Sequence, residues 1–209
     1  MILEHSIKNF YKKTSFQIFD PIFVNSNVCV FIFSVTENLK NININLLQED
    51  EVKKILCYQN KFDRDKRVLS RIFVESLKLN EAWKFNVSYS ADFVSVVVSD
   101  KHMVGVDLEF VSDSTDRLTA ADVFMHPKEL VLFRSLKEQE KKILFFYTLW
   151  VCKEAVLKAL GTGLMIPPHT VCLWDTQPFK DGWVSLDGEK IRYFILKSGL
   201  GCAWCVAAH

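Results

Sequence analysis

No stretch of this sequence reaches the ~20 uninterrupted apolar residues that a membrane-spanning helix needs, and the opening MILEHSIKNFYKK lacks the apolar core of a signal peptide. The chain therefore reads as cytoplasmic, with no membrane partner. Net charge is nearly absent: 26 Lys and Arg against 25 Asp and Glu leave +1, so any anion must be recognised by a local cluster rather than by a global field. There is no basic stripe with interleaved aromatics and no nucleic-acid-binding motif. The six cysteines, Cys29, Cys57, Cys152, Cys172, Cys202 and Cys205, show no paired framework and mostly sit singly in apolar segments, as buried reduced thiols do. CAWC at 202–205 has C-x-x-C spacing but no second Cys or His pair to complete a zinc site. His5, His102, His126, His169 and His209 are scattered without ligand spacing. A G-x-S-x-G nucleophile motif is missing, which leaves hydrolase-triad chemistry without support.

What the chain does have is core: 209 residues, 49% hydrophobic, with 17 Phe, enough to fold without staples. NVCVFIFSV (27–35) reads as a buried strand, followed by helical spacing in INLLQEDEVKKILCYQNK and FDRDKRVLSRIFVESLKL. KFNVSYSADFVSVVVSD (84–100) reads as two strands joined by a tight turn near Ser90 and Ala91, and HMVGVDLEF begins a second strand set. HPKELVLFRSL, started by Pro127, and EQEKKILFFYTLWVCKEAVLKALG, ended by Gly161, follow as helices. WVSLDGEKIRYFIL carries an Asp187-Gly188 hairpin signal. Both halves thus run strand, helices, strands, with the change-over near 100–104 and no Pro- or Gly-rich linker. The expected fold is α+β, built from two similar lobes over 1–102 and 103–209, with an active site at the lobe junction.

Two carboxylates stand out in VGVDLEF (104–110). A strand repeats every two residues, so Asp107 and Glu109 point to one face while Val106, Leu108 and Phe110 point to the other. Carboxylates brought that close repel unless they are protonated, solvated or bridged by a cation. Most D-x-E pairs are simply exposed, and a metal site needs a third partner from elsewhere. On the long helix Trp150, Glu154 and Lys158 fall at i, i+4, i+8, on one stripe. A Glu–Lys pair at that spacing is commonly a weak surface pair. This helix, however, is apolar on most sides, and buried charges are expected to be paired or to hold a metal.

With FNVSYS (85–90), VGVDLEF (104–110), FMHPKE (124–129) and LWVCKEAVLKALGTGL (149–164), the sequence resembles the 4'-phosphopantetheinyl transferases, specifically the monomeric Sfp-type class with two pseudo-repeated lobes. The resemblance covers roughly residues 45–170, and AWCVAAH near the C-terminus looks similar too. It implies a pseudo-twofold arrangement of the lobes. It also implies transfer of the phosphopantetheine arm of coenzyme A to a serine of an acyl or peptidyl carrier protein, with magnesium as cofactor and 3',5'-ADP released. By resemblance Asp107, Glu109 and Glu154 would hold the magnesium, Glu154 would take the serine proton, and Lys158 would neutralise charge on the phosphate oxygens. Lys54 and Arg67 fall where the family has cations for the 3'-phosphate, on the N-terminal lobe, and Ser88 and Tyr89 match its phosphate-contacting Ser-His pair. Arg67 is expected near a helix start, where free N–H groups would also meet phosphate. Lys153 is left open as a phosphate contact. Two departures are plain: Tyr89 stands where the family has His, and the G-K-P that precedes its F-N-x-S segment is absent. They motivate an alternative, a weakened relative that binds coenzyme A or a carrier protein without transfer.

Overall fold

Val28–Ser34 (VCVFIFS) is buried along its whole length and forms β2, as a run of β-branched and aromatic residues favours. The computed structural model describes Ile7, residues 15–197 and residues 199–209, with the backbone alone for Leu164. His5 and the opening stretch other than Ile7 therefore lie outside the described residues. The chain divides into two compact units, Met1–Lys101 and His102–His209.

In the first unit β1 (Ile22–Asn25), β2, β3 (Lys84–Ser90) and β4 (Phe93–Ser99) form an antiparallel sheet in the order β1-β2-β4-β3. Its main helices are α1 (Glu49–Leu56) and α2 (Lys61–Ser76). The helical spacing that begins at Ile44 resolves into a 3-10 turn, Ile44–Leu46, and then α1. α2 starts where the Asn60 side chain accepts from the amides of Phe62 and Asp63. Phe73 on α2 meets Phe16, Phe31 and Phe33 with ring centroids 5.0–5.3 Å apart, which ties helix to sheet. The expected turn between β3 and β4 falls at Ala91, with φ 46°.

The second unit holds β5 (Val104–Phe110), β6 (Gly182–Leu186), β7 (Glu189–Leu196) and β8 (Cys202–Ala208), antiparallel in the order β5-β8-β7-β6. α3 (Pro127–Ser135) has Pro127 in its first turn and a reciprocal cap between His126 and Glu129. α4 (Gln139–Leu160) is buried on most sides against β5, β8 and β7 and ends at Gly161 in the left-handed conformation, φ 76°. Asp187 and Gly188 both have positive φ, 51° and 84°, as a two-residue hairpin between β6 and β7 requires.

The two units share one plan. In each, the strand preceding the helices (β2 or β5) is paired by the last strand of the unit (β4 or β8), which the chain reaches only after the helices. That is the α+β class with two similar lobes. No helix among the described residues is long and apolar enough to cross a membrane, and all six cysteines are free thiols.

Candidate active site

Gly105 sets the geometry of the second unit. A Cβ placed there would lie 2.1 Å from the Ala155 carbonyl oxygen, 2.5 Å from the Ala159 nitrogen and 2.9 Å from the Lys158 Cβ. Helix α4 therefore crosses β5 at backbone contact, which only glycine permits. Asp107 and Glu109 follow at two-residue steps on that same face of the strand. Lys158, one residue short of the crossing, meets Asp107: its Nζ lies 2.7 Å from Asp107 Oδ1 and 3.1 Å from the Val106 carbonyl oxygen. Glu154 sits one helical turn before Lys158 on the stripe that the i, i+4 spacing predicts. Burial raises the Glu154 pKa, and the nearby Asp107 and Glu109 carboxylates raise it further, while Lys158 works against them.

Three acids and a lysine are thus close enough to feel one another. Among the described residues, however, no three His, Cys, Asp or Glu side chains converge as a ready metal cluster. Asp107 is turned to Lys158, and Glu109 pairs with Arg117 at 3.4 Å. In donor chemistry the set fits a hard divalent cation, which prefers carboxylate oxygens and would relieve the repulsion that lifts Glu154.

Sequence reasoning did not find Arg117. It lies in a 3-10 turn, Asp116–Ala120, eight positions after Glu109, with no periodicity to link the two. Trp150, the first member of the stripe, is partly buried and stacks on Phe124 at 4.7 Å between centroids.

Lys153 turns the other way. Its side chain is fully buried and its Nζ lies 2.6 Å from Glu129 Oε2, itself fully buried, and 2.9 Å from the Pro168 carbonyl oxygen. Burial pushes the Lys153 ammonium below its ordinary pKa, and the Glu129 carboxylate opposes that shift. Glu129 also accepts from the His126 amide at 2.9 Å and the Leu173 amide at 2.8 Å. Lys153 is thus a strut joining α4, the start of α3 and the 168–174 segment, and it has no solvent face to offer a phosphate.

The first unit contains a cavity of about 450 Å³ lined in part by Lys54, Tyr58, Arg67, Arg71, Phe85 and Tyr89. It gathers the predicted Lys54, Arg67 and Tyr89. Arg71 was missed, although it lies four residues after Arg67 and so on the same helical face, which is the signal that would have found it. Arg71 also approaches Glu51 at 3.5 Å. Ser88 is buried at the strand position between Val87 and Tyr89 and two residues after Asn86, all three of which line the cavity. Arg67 lies in the second turn of α2, and two amides of the first turn, those of Phe62 and Asp63, are already taken by the Asn60 side chain.

Residues 103–205 match the family model of the 4'-phosphopantetheinyl transferase superfamily. The chain is similar to the 4'-phosphopantetheinyl transferase HetI of a Nostoc species, 36% identical over 126 residues, which cover 58% of this chain and 51% of that one. It is likewise similar to the 4'-phosphopantetheinyl transferase gsp of Aneurinibacillus migulanus, 36% identical over 83 residues, covering 40% of this chain and 33% of that one. A 4'-phosphopantetheinyl transferase of Bacillus subtilis is 31% identical over 105 residues, covering 49% and 43%. The chain thus spans about half the length, or less, of the curated relatives it matches.

Proposed function

We propose that this chain, which belongs to the 4'-phosphopantetheinyl transferase superfamily, moves the 4'-phosphopantetheine group of coenzyme A onto a serine of an acyl or peptidyl carrier protein and releases 3',5'-ADP. The observation that carries the reading is the crossing at Gly105, which sets Lys158 against Asp107, with Glu154 one turn away on the same helix stripe. Glu154 accepts the proton of the carrier serine as its oxygen attacks phosphorus and the bond to 3',5'-ADP breaks. In the metal-free protein, burial and the neighbouring Asp107 and Glu109 carboxylates raise its pKa. Lys158 brings a positive charge to the place where phosphate oxygens gain negative charge. Asp107, Glu109 and Glu154 are the residues that would hold magnesium, and a bound magnesium supplies charge neutralisation at the phosphates. In the first unit Lys54, Arg67 and Arg71 give the cavity three cations against Glu51, a balance suited to the 3'-phosphate. We read the enzyme as an Sfp-type monomer acting in the cytoplasm, with the six free thiols in support.

The test is incubation with an apo carrier protein, coenzyme A and magnesium, followed by intact-mass measurement. A gain equal to one phosphopantetheine is expected, and EDTA should abolish it. The second reading, binding without transfer, is favoured by Tyr89 in place of the family His; it predicts bound coenzyme A and no mass gain.

Arg67→Ala should erase most of the preference for coenzyme A over its 3'-dephospho form. A charge-assisted hydrogen bond to phosphate contributes about 1.5–3 kcal/mol, so the loss is about one to two powers of ten in relative kcat/KM. Equal discrimination by variant and parent would remove Arg67 from the site.

A further inference from the structure

The Tyr89 hydroxyl is engaged in a way that decides what it can do, given the coenzyme A reading of the cavity on which this inference rests. Ser70 has one hydroxyl proton. Its oxygen lies 2.9 Å from the Arg67 carbonyl oxygen, which can only accept, and 2.7 Å from the Tyr89 hydroxyl. The Ser70 proton therefore goes to the carbonyl, and Ser70 accepts from Tyr89. That uses the one proton Tyr89 has. A phenol carries no positive charge in either protonation state, and burial, the largest influence on this one, raises its pKa and keeps it neutral. What remains facing outward from that oxygen is lone-pair density, which a phosphate does not seek.

The ring has a different role. The Arg67 guanidinium carbon lies 3.6 Å from the centroid of Tyr58 and 5.1 Å from that of Tyr89. One of its terminal nitrogens donates to the Asp63 carbonyl oxygen at 3.1 Å. Two aromatic rings and a backbone acceptor hold the plane of the guanidinium, a planar fork that gains most when it is pre-oriented. The Ser70 bridge closes the arrangement, because it ties the Tyr89 hydroxyl to the backbone of Arg67 itself.

We infer that Tyr89 is a positioning residue, which with Tyr58 orients Arg67 toward the 3'-phosphate, and that its hydroxyl is not a ligand of that phosphate. This reverses the division of labour implied by alignment to a His that touches phosphate directly.

Calorimetric titration of the full chain with adenosine 3',5'-bisphosphate and with adenosine 5'-monophosphate reads the 3'-phosphate preference without requiring turnover. Tyr89→Phe should keep the ratio of the two affinities within about twofold of the parent. Tyr89→Leu and Tyr58→Leu should each lower it, by about three- to tenfold, the range of a partly desolvated cation–π contact. The preference ratio is a readout that a merely structural role would not move, and Tyr89→Phe is conservative enough to keep the fold. If Tyr89→Phe loses the preference as fully as Tyr89→Leu, the hydroxyl is a ligand and the inference is overturned. If both leucine variants keep the parent ratio, the rings do not orient Arg67, and it is overturned equally. A parent that binds the two nucleotides alike would instead remove the coenzyme A reading of the cavity, a result visible before any variant is made.

Discussion

Glu154→Gln should lower single-turnover transfer by at least ~10²-fold and up to ~10⁴-fold, with coenzyme A and carrier protein saturating. A serine hydroxyl is a poor nucleophile until a base takes its proton. The amide keeps the shape of the side chain but cannot accept that proton as a carboxylate does, and one of three negative charges facing the proposed magnesium is lost with it. Lys158→Met is the companion measurement. Its charge matters most as negative charge develops on phosphate, so the chemical step should slow while coenzyme A affinity is mostly retained. The structure adds a complication to that variant: Lys158 also neutralises Asp107 at 2.7 Å, and part of any loss comes from releasing that acid. Transfer by Glu154→Gln at the parent rate would sink the general-base assignment outright.

Lys153→Met should destabilise the chain by about 3–5 kcal/mol in urea unfolding, although no ligand touches Lys153 in the proposed mechanism. The loss arises from what stays behind. Glu129 is fully buried and would keep a carboxylate without its ammonium partner at 2.6 Å. The backbone amides of His126 and Leu173 that it accepts from would remain, but they are dipoles and not a full charge. Replacing both members, Lys153→Met with Glu129→Gln, should recover part of the loss, because the uncompensated charge is then gone, and with the single Glu129→Gln variant the cycle gives the pair energy. A single Lys153→Met variant within about 0.5 kcal/mol of the parent, the range of ordinary surface changes, would contradict the strut described here.

How much of this is legible in the sequence depends on distance along the chain. The Glu154–Lys158 stripe, the shared face of Asp107 and Glu109, the left-handed stop at Gly161 and the Asp187-Gly188 turn all follow from periodicity or local backbone chemistry, and the structure has each of them. The pairing of Arg117 with Glu109 and the burial of Lys153 on Glu129 are tertiary. Nothing in the spacing separates Lys153, which points inward, from Glu154, one residue on, which is only partly buried. Arg71 is an intermediate case: its i+4 relation to Arg67 is in the sequence, but the aromatic wall that makes a cavity of that face comes from the α1–α2 connection and β3. The start of α2, read from the spacing at Phe62, falls at Lys61. The start of α2 is decided by one side chain, Asn60, folding back onto two amides.

The contact at Gly105 has a consequence for how this site tolerates change. The separation between β5 and α4 at this crossing is fixed by main chain meeting main chain, and no side chain stands between them there to act as a spacer. Substitutions elsewhere in the core that would let a softer interface settle by a few tenths of an ångström have no slack to use here, since the backbone atoms are already at their limit of approach. Asp107, Lys158 and Glu154 are therefore insulated from drift in the hydrophobic sequence around them, while their alignment hangs on a single position that only glycine fits.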